Sequence, residues 1–246
     1  MRILIIFKNN KKFNYQQNQL GGLVYQIIKN SGYGYIHDLP QKFPRFFSFS
    51  SLFLTHNNLA LIIASPINDL IKSIKTFLIK NRVAILNKVP LVVDSIKTIK
   101  YNFKPPIIIK TETPIIVRIP QEKFDIYGIK LDKNYKYFYW RPIENKHIPL
   151  EPFIKQLEAR IYKNYKLFTN NEKIEEIPIF VKFKYKKTID LPYFKKSKKI
   201  SQPGTLWEFE VNPDISYNLI KFILDTGLGE LTSQGYGFVS LKGQNY

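Results

Sequence analysis

Two amphipathic helices set between short apolar runs constrain this chain more than any other feature, because they impose an order of strand and helix that few folds accept. Residues 2–8, Arg2-Ile3-Leu4-Ile5-Ile6-Phe7-Lys8, are a compact apolar run closed by the polar Asn9-Asn10-Lys11-Lys12, which predicts a short buried strand. Leu20, Leu23, Val24, Ile27 and Ile28 then recur at three and four residues and make one helical stripe, ended by Gly32 and Gly34. Tyr25 lies off that stripe. Between 46 and 64, Phe, Leu and Ile surround the turn signal Asn57-Asn58, predicting two paired strands. Ser65-Pro66 predicts a helix start with Ser65 as cap and Pro66 in the first position; Ile67, Leu70, Ile71, Ile74, Phe77 and Leu78 keep the helical spacing. Residues 82–98 return to strand character, and strand, helix, strand, strand, helix, strand is the ferredoxin-like order.

After Phe103-Lys104-Pro105-Pro106, read as a linker, the pattern restarts. Strands are predicted at 114–119 and 135–140. A long helix follows with Leu150, Phe153, Ile154, Leu157 and Ile161 on one face, then strands near 178–187 and 205–211. A last helix is predicted over 213–225 with Asn212 as cap and Pro213 first, before a final strand from Tyr236 to Leu241. The fold class is therefore α+β: two tandem ferredoxin-like (RRM-like) βαββαβ domains, at 1–103 and 107–246. With 246 residues, 44% of them hydrophobic, each half has enough chain to bury a core.

Lys and Arg number 38 against 19 Asp and Glu, a formal charge of +19. Such an excess repels itself unless a polyanion is a regular partner, and phosphate backbones are the commonest. A lysine-rich proteome is the plainer alternative. Cysteine is absent, which removes disulfides, thiolate zinc sites and a cysteine nucleophile. No carboxylate cluster or histidine pair stands at ligand spacing, so no metal and no cofactor are expected. The N-terminal apolar run is too short for a signal segment and no stretch reaches membrane-span length, so a cytoplasmic protein without membrane contact is expected.

The most specific segment is Gly227-Leu228-Gly229-Glu230-Leu231-Thr232-Ser233-Gln234-Gly235-Tyr236-Gly237, with four glycines in eleven residues between a helix and a strand. Glycines there let the backbone approach another backbone or a phosphate closely. No Gly-Lys-Ser/Thr follows and no strand precedes, so it is neither a Walker loop nor a Rossmann fingerprint. Gly-x-Gly, five residues, then Gly-aromatic-Gly resembles the C-terminal signature of the Cas-six family of CRISPR repeat-processing endoribonucleases. Leu23-Val24-Tyr25-Gln26-Ile27-Ile28, Tyr35-Ile36-His37-Asp38 and Phe47-Ser48-Phe49-Ser50 resemble, in order, that family's first helix, histidine-bearing loop and following strand.

The resemblance implies metal-independent cleavage of CRISPR repeat RNA, with the ribose 2′-hydroxyl as nucleophile and 5′-hydroxyl and 2′,3′-cyclic phosphate ends. That chemistry needs a base, an acid and cations at the phosphate. His37 matches the family's histidine and is the expected proton carrier, since imidazole titrates near neutrality. Tyr25 matches a tyrosine that donates to a phosphate oxygen, and Arg45 stands near a family lysine, with Lys42 as the alternate. His56 and His147 read as surface residues. The first 68 residues carry seven basic residues and one acid, Asp38, and are where the scissile phosphate is expected. Many family members carry a lysine or arginine between the second and third glycines, whereas Glu230 to Gln234 has none, which leaves two readings open: RNA contacts by Ser233, Gln234 and the backbone amides of Gly227, Gly229, Gly235 and Gly237, or a purely structural role in joining the two halves.

Val181-Lys182-Phe183-Lys184-Tyr185-Lys186-Lys187 alternates, placing Lys182, Lys184 and Lys186 on one strand face and Val181, Phe183 and Tyr185 on the other. With Lys187, Lys195, Lys196, Lys198 and Lys199 this makes a basic ribbon suited to a phosphate backbone, although solvated edge strands also favour lysine. The expected partners are CRISPR repeat RNA and proteins of an effector complex, around a monomer or homodimer. A non-catalytic RNA-binding subunit of the same architecture is the alternative function. A basic scaffold on anionic membranes is a third, without the lysine-rich amphipathic helix it needs.

Overall fold

The computed structural model describes residues 1–8, 15–40, 43–55, 58–130, 136–140, 142, 149–195 and 198–244, with backbone alone at 191–202. Its first half contains β1 (Arg2–Phe7), α1 (Gln17–Ile28), α2 (Tyr35–Asp38), β2 (Ser48–Phe49), β3 (Phe53–Thr55), β4 (Asn58–Ala64), α3 (Asn68–Asn81), β5 (Val83–Leu86) and β6 (Val89–Ile99). The sheet runs β2-β4-β1-β6-β5, with β3 also on β4, and β1 pairs antiparallel with both β4 and β6. This is a ferredoxin-like sheet with β5 added at its edge.

The N-terminal run is apolar at every position from 3 to 7 because β1 is covered on both faces. Ile3, Ile5 and Phe7 pack with Leu20, Val24 and Ile27 of α1 and Leu70, Ile74 and Leu78 of α3. Leu4 faces the other way, into a cluster with Ala60, Ile62, Ala64 and Phe238, so the back of this sheet is closed by the C-terminal half.

The second half contains β7 (Ile108–Thr111), β8 (Ile119–Pro120), β9 (Tyr137–Phe138), α4 (Glu151–Thr169), β10 (Phe180–Lys195), β11 (Lys198–Val211), α5 (Tyr217–Thr226) and β12 (Val239–Leu241). Its sheet order is β10-β11-β7-β12, the same arrangement as β2-β4-β1-β6, while β8 and β9 form a side ribbon. Trp207 fills the core, stacked on Phe153 of α4 at 5.2 Å and on Phe209 at 5.8 Å.

Several element bounds differ from the sequence expectation. The strand expected at 114–119 is instead β7 at Ile108–Thr111; Ile115, Ile116 and Val117 are buried in irregular backbone, held by a single bridge from Ile115 to Thr205. Residues 82–98 form a hairpin rather than one strand, turning at Asn87 and Lys88, both at positive φ. Ser65 does not cap α3: its Oγ accepts from Ile67 N at 3.1 Å and donates to Phe46 O at 2.7 Å, and the helix starts at Asn68. Asn212 likewise makes a turn, accepting from Asp214 N at 3.1 Å, and Ser216 caps α5 through Leu219 N at 3.3 Å. The basic hairpin runs to Lys195 and Lys198, well past the expected 187 and 205.

Candidate active site

The glycine segment is a seam between the halves. Gly237 sits at φ 62°, donating its amide to Pro114 O and accepting from Leu228 N, each at 2.8 Å, and a Cβ there would collide with the Leu228 carbonyl oxygen. Gly235 is buried against the Phe49 ring and the Gln17 side chain, whose Nε2 donates to Gly235 O at 3.1 Å. Gly227 and Gly229 abut the backbones of Gly237 and Ile116. All four glycines are thus used against protein, while Ser233 and Gln234 sit in a turn that faces outward. Burial pushes the Tyr236 phenol up, away from any role as a neutral-pH base.

Across this seam, Thr232 Oγ1 donates to Phe47 O at 3.4 Å. Phe47 is fully buried and takes the edge of Tyr25 at 5.4 Å, and Tyr25 in turn meets the His37 ring edge-on at 5.4 Å. α1 continues through a wide turn kinked at Gly32, φ 94°, into the single turn of α2, which carries His37 back over Tyr25. Arg45 closes the loop from the far side: its Nη2 donates to the carbonyls of His37 at 3.3 Å and Leu39 at 3.0 Å. Tyr25, His37 and Arg45 therefore come together, from a helix, a loop and the approach to β2. The His37 side chain is 71% exposed, so a ligand reaches it directly, and its Nδ1 lies 3.0 Å from Asp38 Oδ1. A carboxylate only accepts, so Nδ1 is the donor in this contact. Lys42, His56, His147 and Lys196 lie outside the described residues, as do the side chains of Lys195, Lys198 and Lys199.

On the hairpin, Lys182 pairs with Glu210 at 2.9 Å and Lys186 with Glu208 at 2.8 Å, so two lysines of the expected ribbon are partly neutralised by the neighbouring strand. Hydrogen bonds from Lys186 and Lys242 hold the Glu208 carboxyl below the usual range. Among the described residues Lys184 and Lys187 make no ion pair. Bulges at Phe180/Lys182 and Tyr185/Lys187 break the strict alternation, leaving Val181 exposed instead of on the apolar face.

Sequence reasoning missed the partners of Glu230. This glycine-segment residue is buried and binds Arg118 through Nε at 2.5 Å, with Arg160 4.0 Å away. Burial alone would lower Arg118; the hydrogen bond and charge of Glu230 outweigh it and raise the pKa. A lone acid inside a glycine motif was the available signal. Among the described residues no three His, Cys, Asp or Glu side chains gather to hold a metal, and no helix is long and apolar enough to cross a membrane.

The family profile "CRISPR associated protein Cas6, C-terminal" matches residues 97–241, more than half of the chain. A curated relative, the CRISPR-associated endoribonuclease Cas6 2 of Methanocaldococcus jannaschii, is 24% identical over 256 residues, spanning 98% of this chain and 99% of that protein. The CRISPR-associated endoribonuclease Cas6 of Haloferax mediterranei is 24% identical over 259 residues, spanning 98% and 93%. A solved structure of a CRISPR associated protein Cas6 matches with a TM-score of 0.68 at 23% identity over 98% of both chains.

Proposed function

Because the chain belongs to the CRISPR-associated Cas6 family, we propose that it is a metal-independent endoribonuclease that binds CRISPR repeat RNA and cleaves it by attack of a 2′-hydroxyl, leaving a 5′-hydroxyl and a 2′,3′-cyclic phosphate. The observation that carries this reading is the convergence of an exposed His37 with the half-buried Tyr25 and Arg45 beside the glycine segment.

In-line attack requires one proton to leave the nucleophile and one to reach the departing 5′ oxygen. His37 is held with Nδ1 toward Asp38 and its ring edge-on to Tyr25, and in the neutral tautomer this contact selects, Nε2 is the acceptor a general base needs. Tyr25 supplies a phenol donor for a non-bridging oxygen. Arg45 spends its Nη2 on the loop carbonyls, so it positions His37 and adds positive charge behind the phosphate. Lys184 and Lys187 of the hairpin, with Ser233 and Gln234, extend the RNA contacts away from the cut.

The test is incubation of repeat RNA from the source genome's CRISPR array with the pure protein in excess EDTA, His37→Ala alongside, and mapping of the product ends. One discrete cut ending in a cyclic phosphate, slowed about a hundredfold or more in the variant, is expected. Tight binding with no cut would refute the enzyme and leave a non-catalytic RNA-binding module.

A further inference from the structure

We infer that Arg118, Arg160 and the buried Glu230 between them form a phosphate-binding site for the RNA backbone, in which Glu230 aims the two guanidinium groups; this rests on the RNA-binding reading above. The three residues come from separate elements: the buried coil before β8, the middle of α4, and the glycine segment. Glu230 is 8% exposed, whereas Arg118 and Arg160 are 37% and 43% exposed. Its carboxylate is anchored to main chain, since Oε1 accepts from Arg118 N at 3.1 Å and its own amide donates to Ile116 O at 2.8 Å. Oε2 accepts from Arg118 Nε at 2.5 Å and pairs with Arg118 Nη2. The guanidinium of Arg118 lies over the Tyr137 ring, 5.1 Å from its centroid, which limits its orientation further.

Two cations share one anion, so the cluster keeps one positive charge at a half-exposed surface. Among the described residues the single ion-pair partner of Arg160 is Glu230, at 4.0 Å, beyond hydrogen-bond reach, so Glu230 does not occupy its donors. A phosphodiester carries one negative charge and accepts from planar guanidinium forks, which matches both the charge and the donors left over. A purely structural ion pair needs one arginine, and the second is unexplained by it. The cluster also lies on the glycine segment that reaches Phe47 and, through it, Tyr25, which links it through the protein to the candidate active site.

Arg160→Gln, Arg118→Gln and Glu230→Gln are tested in the full chain carrying His37→Ala, with labelled repeat RNA whose intactness is checked on a gel and whose binding is read by anisotropy from about 50 to 200 mM salt. Each arginine variant is expected to bind on the order of tenfold more weakly, with a salt slope shallower by about 0.7 to 0.9. Glu230→Gln separates aiming from mere charge: removing an anion from a basic protein would tighten RNA binding through the long-range field, whereas loss of aiming weakens it. Weaker binding is expected. Arg160→Lys keeps the charge without the fork and is expected to fall between parent and Arg160→Gln, a readout that holds should Glu230→Gln melt near the assay temperature. Unchanged affinity and slope in both arginine variants, or tighter binding by a folded Glu230→Gln, would overturn the inference. A parent that fails to bind repeat RNA at all would refute the RNA-binding reading itself.

Discussion

Adding one methyl group at Gly237 should destabilise the whole chain. The residue sits at φ 62°, where a side chain costs about 1–2 kcal/mol. The new Cβ would overlap the Leu228 carbonyl oxygen and stand 2.9 Å from its carbon, and both are backbone atoms that no rotamer change moves. Relief requires the two strands of the loop to part, breaking Leu228 N to Gly237 O and Gly237 N to Pro114 O. Those two bonds are worth about 1 kcal/mol each, and the overpacking adds about 1–3 more. The sum, about 4–7 kcal/mol, approaches the whole stability of an ordinary domain. At about 2–4 °C per kcal/mol for a chain of this size, Gly237→Ala should melt at least about 8 °C below the parent. Gly22→Ala is the matched control, because nothing lies within 4 Å of its added Cβ on the exposed face of α1; it should gain about 0.5–1 kcal/mol. Circular-dichroism melts with urea titration measure both. Gly237→Ala melting within about 2 °C of the parent would refute this close backbone packing, given that shift's small size on this scale, and unchanged melting with lost RNA binding would assign the glycine to phosphate approach.

Glu158 has its pKa raised by burial, against which hydrogen bonds from Phe180 N and Ile179 N pull it down. A carboxyl with a raised folded pKa favours folding most at low pH and loses that contribution as pH climbs from the ordinary value through the raised one. Glu158→Gln keeps the acceptor without the charge, so it should raise the melting temperature at neutral pH and gain nothing near about pH 4. Lys184→Ala with Lys187→Ala should flatten the salt dependence of RNA binding by about 1.4–1.8, and Lys182→Ala with Lys186→Ala by less, because Glu210 and Glu208 already hold those two. Asp38→Asn should slow cleavage by no more than about fivefold, since an exposed pair of this kind is worth at most about 1 kcal/mol, while His37→Ala, which removes the proposed proton carrier, should lose far more.

Much of the architecture was legible because α1, α3 and α4 announce themselves by stripes such as Leu20, Leu23, Val24 and Ile27, and the order of elements follows. Starts were misread where one residue serves two motifs: Ser65 and Asn212 form turns as readily as caps, and only the path of the chain chooses. Ile115 to Val117 read as a strand because burial alone makes them apolar; they lie under the glycine segment, not in the sheet. Convergence of Tyr25 and His37 was readable from their matching segments, since both sit near the N-terminal helix. The role of Arg45 as a brace on the His37 and Leu39 carbonyls was not, because a guanidinium's target depends on a loop path that local pattern does not encode. Nor was the Glu230–Arg118 pair, whose members are 112 residues apart and meet only when the C-terminal half is folded.

The most direct measurement replaces the single 2′-hydroxyl beside the mapped scissile phosphate with hydrogen and follows binding and cleavage of that repeat RNA by the wild-type chain. The account predicts that the deoxy substrate binds as well as the all-ribose RNA and is not cut. Continued cleavage at the same bond would mean that another nucleophile does the work, and the chemistry assigned to His37 and Tyr25 would be wrong.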